Sequence, residues 1–376
     1  MKKKILALTE MAFQGSGYYR LMSPILEGLS KLDYDIKVIG LSYDSSEHNF
    51  GFSIVPSANV SDGLAIAQNI IKLWKPDIFI CGLDIPLQIQ IYENLKSLGV
   101  KYIAITPLEN PPLTQTWAAQ LMPIDFTFFI SDLGRQAAAD AGLSRVGHIQ
   151  VGSDTTTFYP ADAEERSRLR KDLDISDDFV ILTVADNQER KNLWAEFEIM
   201  SKLKKAGHKV KFILVTREHS PVGNKLRDLA IDYDLNKELM VIERGVDTDV
   251  LRNLYVASDV YLSASKAEGY GLPIVEAMAC KLPVVGCDTG AITEILSEGK
   301  GYLVEPEYKF RDVWGNEWRH MIDIQKATDV IESIMNDDQT PITDKALAYV
   351  RGRTYDIPVM QLDQKIQELI VEETNE

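Results

Sequence analysis

The sequence predicts an α/β protein of two doubly wound domains, each a parallel sheet with helices on both faces. Three observations predict it. Short apolar runs alternate with amphipathic stretches along the whole chain, which is the pattern of repeated βα units. The runs form two series, separated by a polar, turn-rich segment. The length of 376 residues also exceeds what one ordinary hydrophobic core fills.

The first series places strands at 4–8, 36–39, 78–80, 102–105 and 126–130, with helical patterns such as 21–32 and 63–73 between them. The separating segment, 151–160, carries Gly152, Ser153, Asp154, three threonines and Pro160, and reads as a linker. The second series runs through 179–183, 212–215, 240–242, 260–262, 284–285 and 302–304. An amphipathic helix at 357–373 follows Arg351-Gly352-Arg353-Thr354. Domains are therefore expected at 1–155 and 156–354, with a terminal helix in 355–376. Two such domains facing each other form a cleft at the carboxyl ends of their strands, where ligands of open α/β sheets bind.

Composition removes several classes of function. A net charge of −16 is wrong for nucleic acid, whose phosphates require basic patches, and for adhesion to anionic lipid. No apolar run approaches the roughly 18 residues that span a bilayer. Peripheral membrane association is not indicated. The start Met1-Lys2-Lys3-Lys4 leads into an apolar stretch too short for a signal peptide, interrupted by Glu10. Cys81, Cys280 and Cys287 show no CxxC spacing, so neither a disulfide scaffold nor a zinc site is expected. The expected location is cytoplasmic. None of the five histidines stands at metal-ligand spacing, and there is no GxSxG elbow, HExxH or Walker lysine loop.

The chemistry concentrates in Glu268-Gly269-Tyr270-Gly271-Leu272-Pro273-Ile274-Val275-Glu276. The apolar run before it reads as a buried strand and Ile274 to Ala279 as a helix, which Pro273 suits in its first turn. A glycine loop opening a helix offers backbone N–H groups and a positive helix end to an anion such as phosphate. Carboxylates accept hydrogen bonds from hydroxyls, so Glu268 and a first-turn Glu276 beside that loop describe a sugar-nucleotide site. The spacing alone fits equally a solvated loop glutamate and one that merely favours the helix dipole. Phe13-Gln14-Gly15-Ser16-Gly17-Tyr18-Tyr19-Arg20 similarly joins the first strand to the first helix. A tight structural turn explains it equally well. Asn187-Gln188-Glu189-Arg190-Lys191-Asn192 follows the first strand of the second series. It places adjacent cations where they could neutralise a diphosphate leaving group, or simply face solvent.

Taken together, the chain resembles the retaining glycosyltransferases of family 4, which have the GT-B architecture. The resemblance covers most of the chain. It is strongest from about 151 to 306, through Gly152-Ser153-Asp154-Thr155 with Phe158-Tyr159-Pro160, the stretch 184–193 and Leu254-Tyr255-Val256-Ala257-Ser258-Asp259. The glutamate motif and Pro283-Val284-Val285-Gly286 with Glu294 complete it. It implies two Rossmann-like domains facing across a cleft, the first on the acceptor side and the second on the donor side. The C-terminal helix would cross back to the first domain.

The implied activity is metal-independent transfer of a hexose-type sugar from a UDP-, GDP- or ADP-sugar to an acceptor hydroxyl, with no tightly bound cofactor. The resemblance gives Glu276 the ribose hydroxyls and Glu268 the transferred sugar. Gly269, Tyr270, Gly271 and Leu272 would hold sugar and diphosphate, and Lys191 with Arg190 the departing diphosphate. Gly15, Ser16 and Gly17 would approach that diphosphate, and Arg244 and Val246 would flank the base. Tyr18, Arg20 and Glu109 are offered for the acceptor. The chain departs from the family in carrying Ala185-Asp186 where Gly-Arg is usual, and Glu109 in the region of a customary histidine. An epimerase or phosphorylase on the same fold, or an inactive sugar-nucleotide-binding subunit, are the rival readings.

Overall fold

The computed structural model describes residues 2–13, 16–313 and 315–375. It divides into two compact units, Met1–Gly152 with Arg353–Glu376, and Ser153–Gly352.

The first unit holds strands β1 (Lys3–Glu10), β2 (Tyr34–Leu41), β3 (Ser53–Ser57), β4 (Ile78–Gly82), β5 (Lys101–Thr106), β6 (Phe126–Phe129) and β7 (Val146–His148). They form one parallel sheet in the order β3-β2-β1-β4-β5-β6-β7. Ile5, Leu6, Ala7 and Leu8 of β1 are all fully buried, because a parallel strand between two helical layers has no wet face. Each of the isoleucine and leucine side chains contributes about 1.5–3 kcal/mol of transfer free energy. The helix Asp356–Asn375 completes this unit. Val359 seats on Gly28, where an added Cβ would lie 2.3 Å from the valine methyl, so the glycine is what permits the contact. The Tyr34 hydroxyl donates to Asp363 at 2.5 Å, and Gln361 accepts the Gln150 amide at 2.9 Å.

The second unit holds β8 (Phe179–Val184), β9 (Val210–Thr216), β10 (Leu239–Glu243), β11 (Val260–Ser263), β12 (Val284–Cys287) and β13 (Tyr302–Val304). Their parallel order is β10-β9-β8-β11-β12-β13. An antiparallel pair, β14 (Pro306–Arg311) and β15 (Trp318–Ile322), follows.

Every strand anticipated from the apolar runs coincides with a strand of the structure, the run 126–130 extending one residue past β6. Three features lack such a signal. Edge strand β3 carries Pro56, which an edge tolerates and a central strand does not. Strand β7 is three residues long and contains Gly147. In the β14–β15 pair β14 is mostly exposed, and β15 sets Arg319 and His320 between Trp318 and Met321, so neither reads as an apolar run.

In both sheets the chain order reverses direction at one place. Growth proceeds outward from β1 through β2 and β3, then resumes on the other side at β4; in the second sheet it restarts at β11 beside β8. The loops leaving two neighbouring strands diverge at such a switch point and leave a crevice between them. The loops after β1, β4, β8 and β11 carry most of the chemistry of this chain.

Candidate functional site

In the second unit the loop after β8 makes a short 3-10 turn, Glu189–Lys191, and ends at Asn192 in the left-handed region, with φ of 58°. Helix Leu193–Lys205 begins there. The loop after β11 runs to Gly271, whose φ of 101° is open to glycine and strained for other residues. Helix Leu272–Ala279 starts immediately afterwards, with Pro273 at its beginning.

The two loops are stitched together. The Arg190 carbonyl accepts the Lys266 amide at 2.9 Å, and the Arg190 guanidinium donates to the Ala267 carbonyl at 2.7 Å. Asn192 donates to the Ala264 carbonyl at 3.1 Å, and Glu196 accepts the Ala264 amide at 3.0 Å. This brings Glu268, Lys191 and Arg190 to one place. Lys191 forms a close ion pair with Oε2 of Glu268, and Arg190 reaches the same oxygen at 3.4 Å. Burial opposes charge on Glu268, but the cations of Lys191 and then Arg190 outweigh it and hold the carboxyl below its ordinary value.

Glu276 requires a correction. The helix begins at Leu272, so Glu276 lies in its second turn and not the first. It is buried, and its Oε2 accepts the Tyr255 hydroxyl at 2.8 Å. Tyr255 is itself fully buried and positions the carboxylate from below. Gly269, Tyr270 and Gly271 are buried along the intervening loop, and Leu272 and Pro273 are half-buried. Helix geometry leaves the first N–H groups of such a helix without intrahelical acceptors.

Asp186 stands where the family resemblance would place an arginine, and the structure shows what it does instead. It accepts two hydrogen bonds from Arg217, at 2.7 and 2.5 Å, and faces Arg244 at 3.5 Å. Burial raises its pKa, but the Arg217 bonds and the Arg244 charge pull it below the ordinary carboxylate value. One carboxylate thus gathers two arginines at the ends of β8, β9 and β10. Arg244 is exposed and Val246 half-buried on the loop after β10.

In the first unit Ser16 caps helix Gly17–Ser30, accepting the Tyr19 amide at 3.2 Å, and its hydroxyl bonds Glu10 at the end of β1. Gly17 is exposed, with open space where a Cβ would stand. Gly15 lies outside the described residues. The Tyr18 hydroxyl donates to Asp84 at 2.5 Å, across the switch point between β1 and β4. Burial, then the Asp84 charge, raise the Tyr18 pKa well above its ordinary value, with smaller contributions from Glu10 and Glu109. Tyr18 and Glu109 therefore share one neighbourhood. Arg20 points its carbonyl to the Tyr355 hydroxyl of the terminal segment, at 3.5 Å.

Sequence reasoning passed over Asp84, Glu196, Arg217 and the role of Tyr255. Asp84 was findable, since it follows β4 directly and precedes Pro86 at a helix start. Arg217 likewise follows β9 by one residue. Glu196 carried no signal, because its acidic type contradicts its position on a buried helix face.

A larger surface hollow, about 270 Å³, lies at Ala163, Arg166, Ser167, Arg170 and Ser176. Arg166 and Arg170 are both committed to Asp259, at 2.7 and 3.0 Å, which makes this an ion-pair clamp on the sheet. Among the described residues no cluster of three or more His, Cys, Asp or Glu could hold a metal ion. No helix among them is long and apolar enough to cross a membrane.

Two Rossmann-like parallel-sheet domains, with charged loops at each switch point and a C-terminal helix, define the fold as that of the GT-B glycosyltransferases. The chain aligns with sucrose-phosphate synthase (tll1590) from Thermosynechococcus elongatus with a TM-score of 0.78, covering 99% of this chain and 100% of that one at 16% identity. Alr3699/HepE from Anabaena, solved in complex with UDP and glucose, aligns at a TM-score of 0.74 over 97% of this chain and 100% of its own, also at 16% identity.

In sequence, residues 165–312 match the family described as glycosyl transferases group 1. A probable sucrose-phosphate synthase of Thermosipho melanesiensis is 27% identical over 166 residues, 44% of this chain. This chain spans 37% of that curated relative's length.

Proposed function

We propose that the protein is a retaining, metal-independent glycosyltransferase that moves a hexose-type sugar from a nucleotide-diphosphate sugar to an acceptor hydroxyl. The second unit takes the donor and the first the acceptor. The observation that carries this reading is the convergence of Lys191 and Arg190 on Glu268 at the β8/β11 switch point, beside the buried Glu276–Tyr255 pair.

In this reading the two cations exchange partners when the donor binds. A diphosphate carries more charge than Glu268 and draws the N–H donors of Lys191 and Arg190 onto itself. Glu268 is then free to accept from hydroxyls of the transferred sugar. Glu276, held by Tyr255, accepts from the ribose. The Leu272–Ala279 helix end adds its dipole to the same charge. As the glycosidic bond loosens, negative charge grows on the leaving phosphate, and preorganised cations stabilise it most at that moment. The acceptor oxygen attacks from the same face and the leaving phosphate takes its proton, which retains the anomeric configuration. Tyr18, Asp84 and Glu109 supply acceptors and donors suited to a hydroxyl-bearing substrate.

The match to glycosyl transferases group 1 and the UDP held by a fold relative support a uridine nucleotide first among the UDP-, GDP- and ADP-sugars. Three buried free cysteines suit a reducing cytoplasm. Incubation with each nucleotide sugar, followed by detection of released nucleoside diphosphate, tests the proposal. Release by the native protein, lost in Lys191→Ala, is the expected result; equal release by both removes this site.

A further inference from the structure

Glu196 is the least expected side chain near the site. It lies on helix Leu193–Lys205, 1% exposed, with no ion-pair partner among the described residues. One carboxyl oxygen accepts the Ala264 amide; the other, Oε2, has no hydrogen-bond partner among the described residues. The neighbouring Thr183 hydroxyl donates its proton to the Leu262 carbonyl at 2.9 Å. Beside Glu196 lies a cavity of about 10 Å³, the size of one water, whose lining includes Thr183, Lys191, Tyr261, Glu268 and Gly271. The charged and titratable groups facing Glu196 are Lys191 from the 3-10 turn and Tyr261 from β11, with Glu268 beyond them. Tyr261 gives its hydroxyl to the Val184 carbonyl at 3.1 Å, and Lys191 is the cation whose charge reaches Glu196.

Lys191 can serve one carboxylate or be divided between two. A buried, unpaired carboxylate is strongly disfavoured, and a neutral carboxyl at Glu196 does not compete with Glu268 or a bound anion for Lys191. An ionised Glu196 would draw Lys191 inward and place a negative charge behind the anion site. We propose that Glu196 is a positioning residue that carries a proton, and that this proton keeps Lys191 committed to the ligand side of the site, so that anion binding weakens when the proton is lost. The proposal rests on the donor-site reading for the identity of the anion. Burial raises the Glu196 pKa to about 8, offset in part by the Ala264 amide and the Lys191 charge. The transition therefore falls at mildly alkaline pH.

The sign follows from linkage. The folded protein keeps a proton that the unfolded chain releases near the ordinary value of 4.5, so native stability falls as pH rises from there to about 8, then levels. Glu196→Gln lacks that proton. Its stability in urea, compared with the native protein's at pH 5, 7 and 9, should gain progressively toward pH 9. UDP affinity by calorimetry should fall several-fold from pH 7 to pH 9 in the native protein and stay level in Glu196→Gln. A terminal phosphate is already ionised across that range, its second pKa being about 6.

If Glu196→Gln does not fold, the native protein alone decides. UDP binding at pH 8.5, measured in buffers of different ionisation enthalpy, should take up a proton, and no uptake overturns the proposal. A stability difference that does not change with pH, or an equal loss of UDP affinity in both proteins, also overturns it. Failure of UDP to bind either protein at any pH instead overturns the donor-site reading. Inorganic pyrophosphate then replaces UDP in the same comparison, and equal binding at pH 7 and 9, or none, overturns the role of Glu196.

Discussion

The switch point of the second sheet and that of the first are built on the same topology with opposite electrostatics. After β8 and β11 the loops present Arg190 and Lys191, held in place by Glu268, while Asp186 of the β8 loop holds Arg217 and Arg244 from the ends of β9 and β10. At β1 and β4 the chain presents Glu10 and Asp84 with the hydroxyls of Ser16 and Tyr18, and Glu109 joins them from the loop after β5. One crevice suits an anion and the other suits hydroxyls. A doubly wound sheet fixes where a ligand binds; the loop residues that follow its strands decide which ligand.

The contrast can be broken from either side. The largest effect is expected from Lys191→Ala, which removes a cation that the proposed mechanism aims at the leaving group. Turnover should fall about 100- to 1,000-fold, by analogy with loss of one preorganised transition-state donor. Glu276→Gln comes next. It weakens a buried, charge-assisted acceptor worth about 1.5–3 kcal/mol, so UDP affinity should fall about tenfold or more by calorimetry, with the fold retained. Asp84→Asn should change the other crevice alone. Transfer should drop several-fold through the acceptor KM, while UDP affinity and acceptor-free donor hydrolysis stay at native values. Tyr34→Phe loses the bond to Asp363 and should lower unfolding free energy by about 1 kcal/mol without altering either activity.

The fold and the site were legible to different depths. Apolar runs predict the core strands because a parallel strand is buried on both faces, and that constraint writes itself into consecutive residues. Edge strand β3 with Pro56, and the polar β14–β15 pair, escape because partial exposure relaxes the constraint. In the site, Glu268, Arg190 and Lys191 are flagged by residue type and by their place after strands, and the structure brings them within ion-pair distance. Glu276 was placed one helical turn too early, because helix starts in glycine loops are set by backbone angles that sequence does not print. Asp186 looked like a lost arginine. Only the fold shows that it collects Arg217 and Arg244 from 31 and 58 residues further along, since Arg217 and Arg244 follow neighbouring strands. Glu196 illustrates the limit: a buried unpaired acid violates every sequence pattern, and its meaning lies wholly in what surrounds it.

In the proposed function the β8/β11 crevice is an anion site centred on Lys191 and Glu268. Calorimetric titration of UDP and of uridine into the native protein and Lys191→Ala tests it most directly. Native protein should bind UDP far more tightly than uridine, and Lys191→Ala should erase most of that difference while uridine binding is unchanged. A UDP-over-uridine preference that survives intact in Lys191→Ala would contradict it.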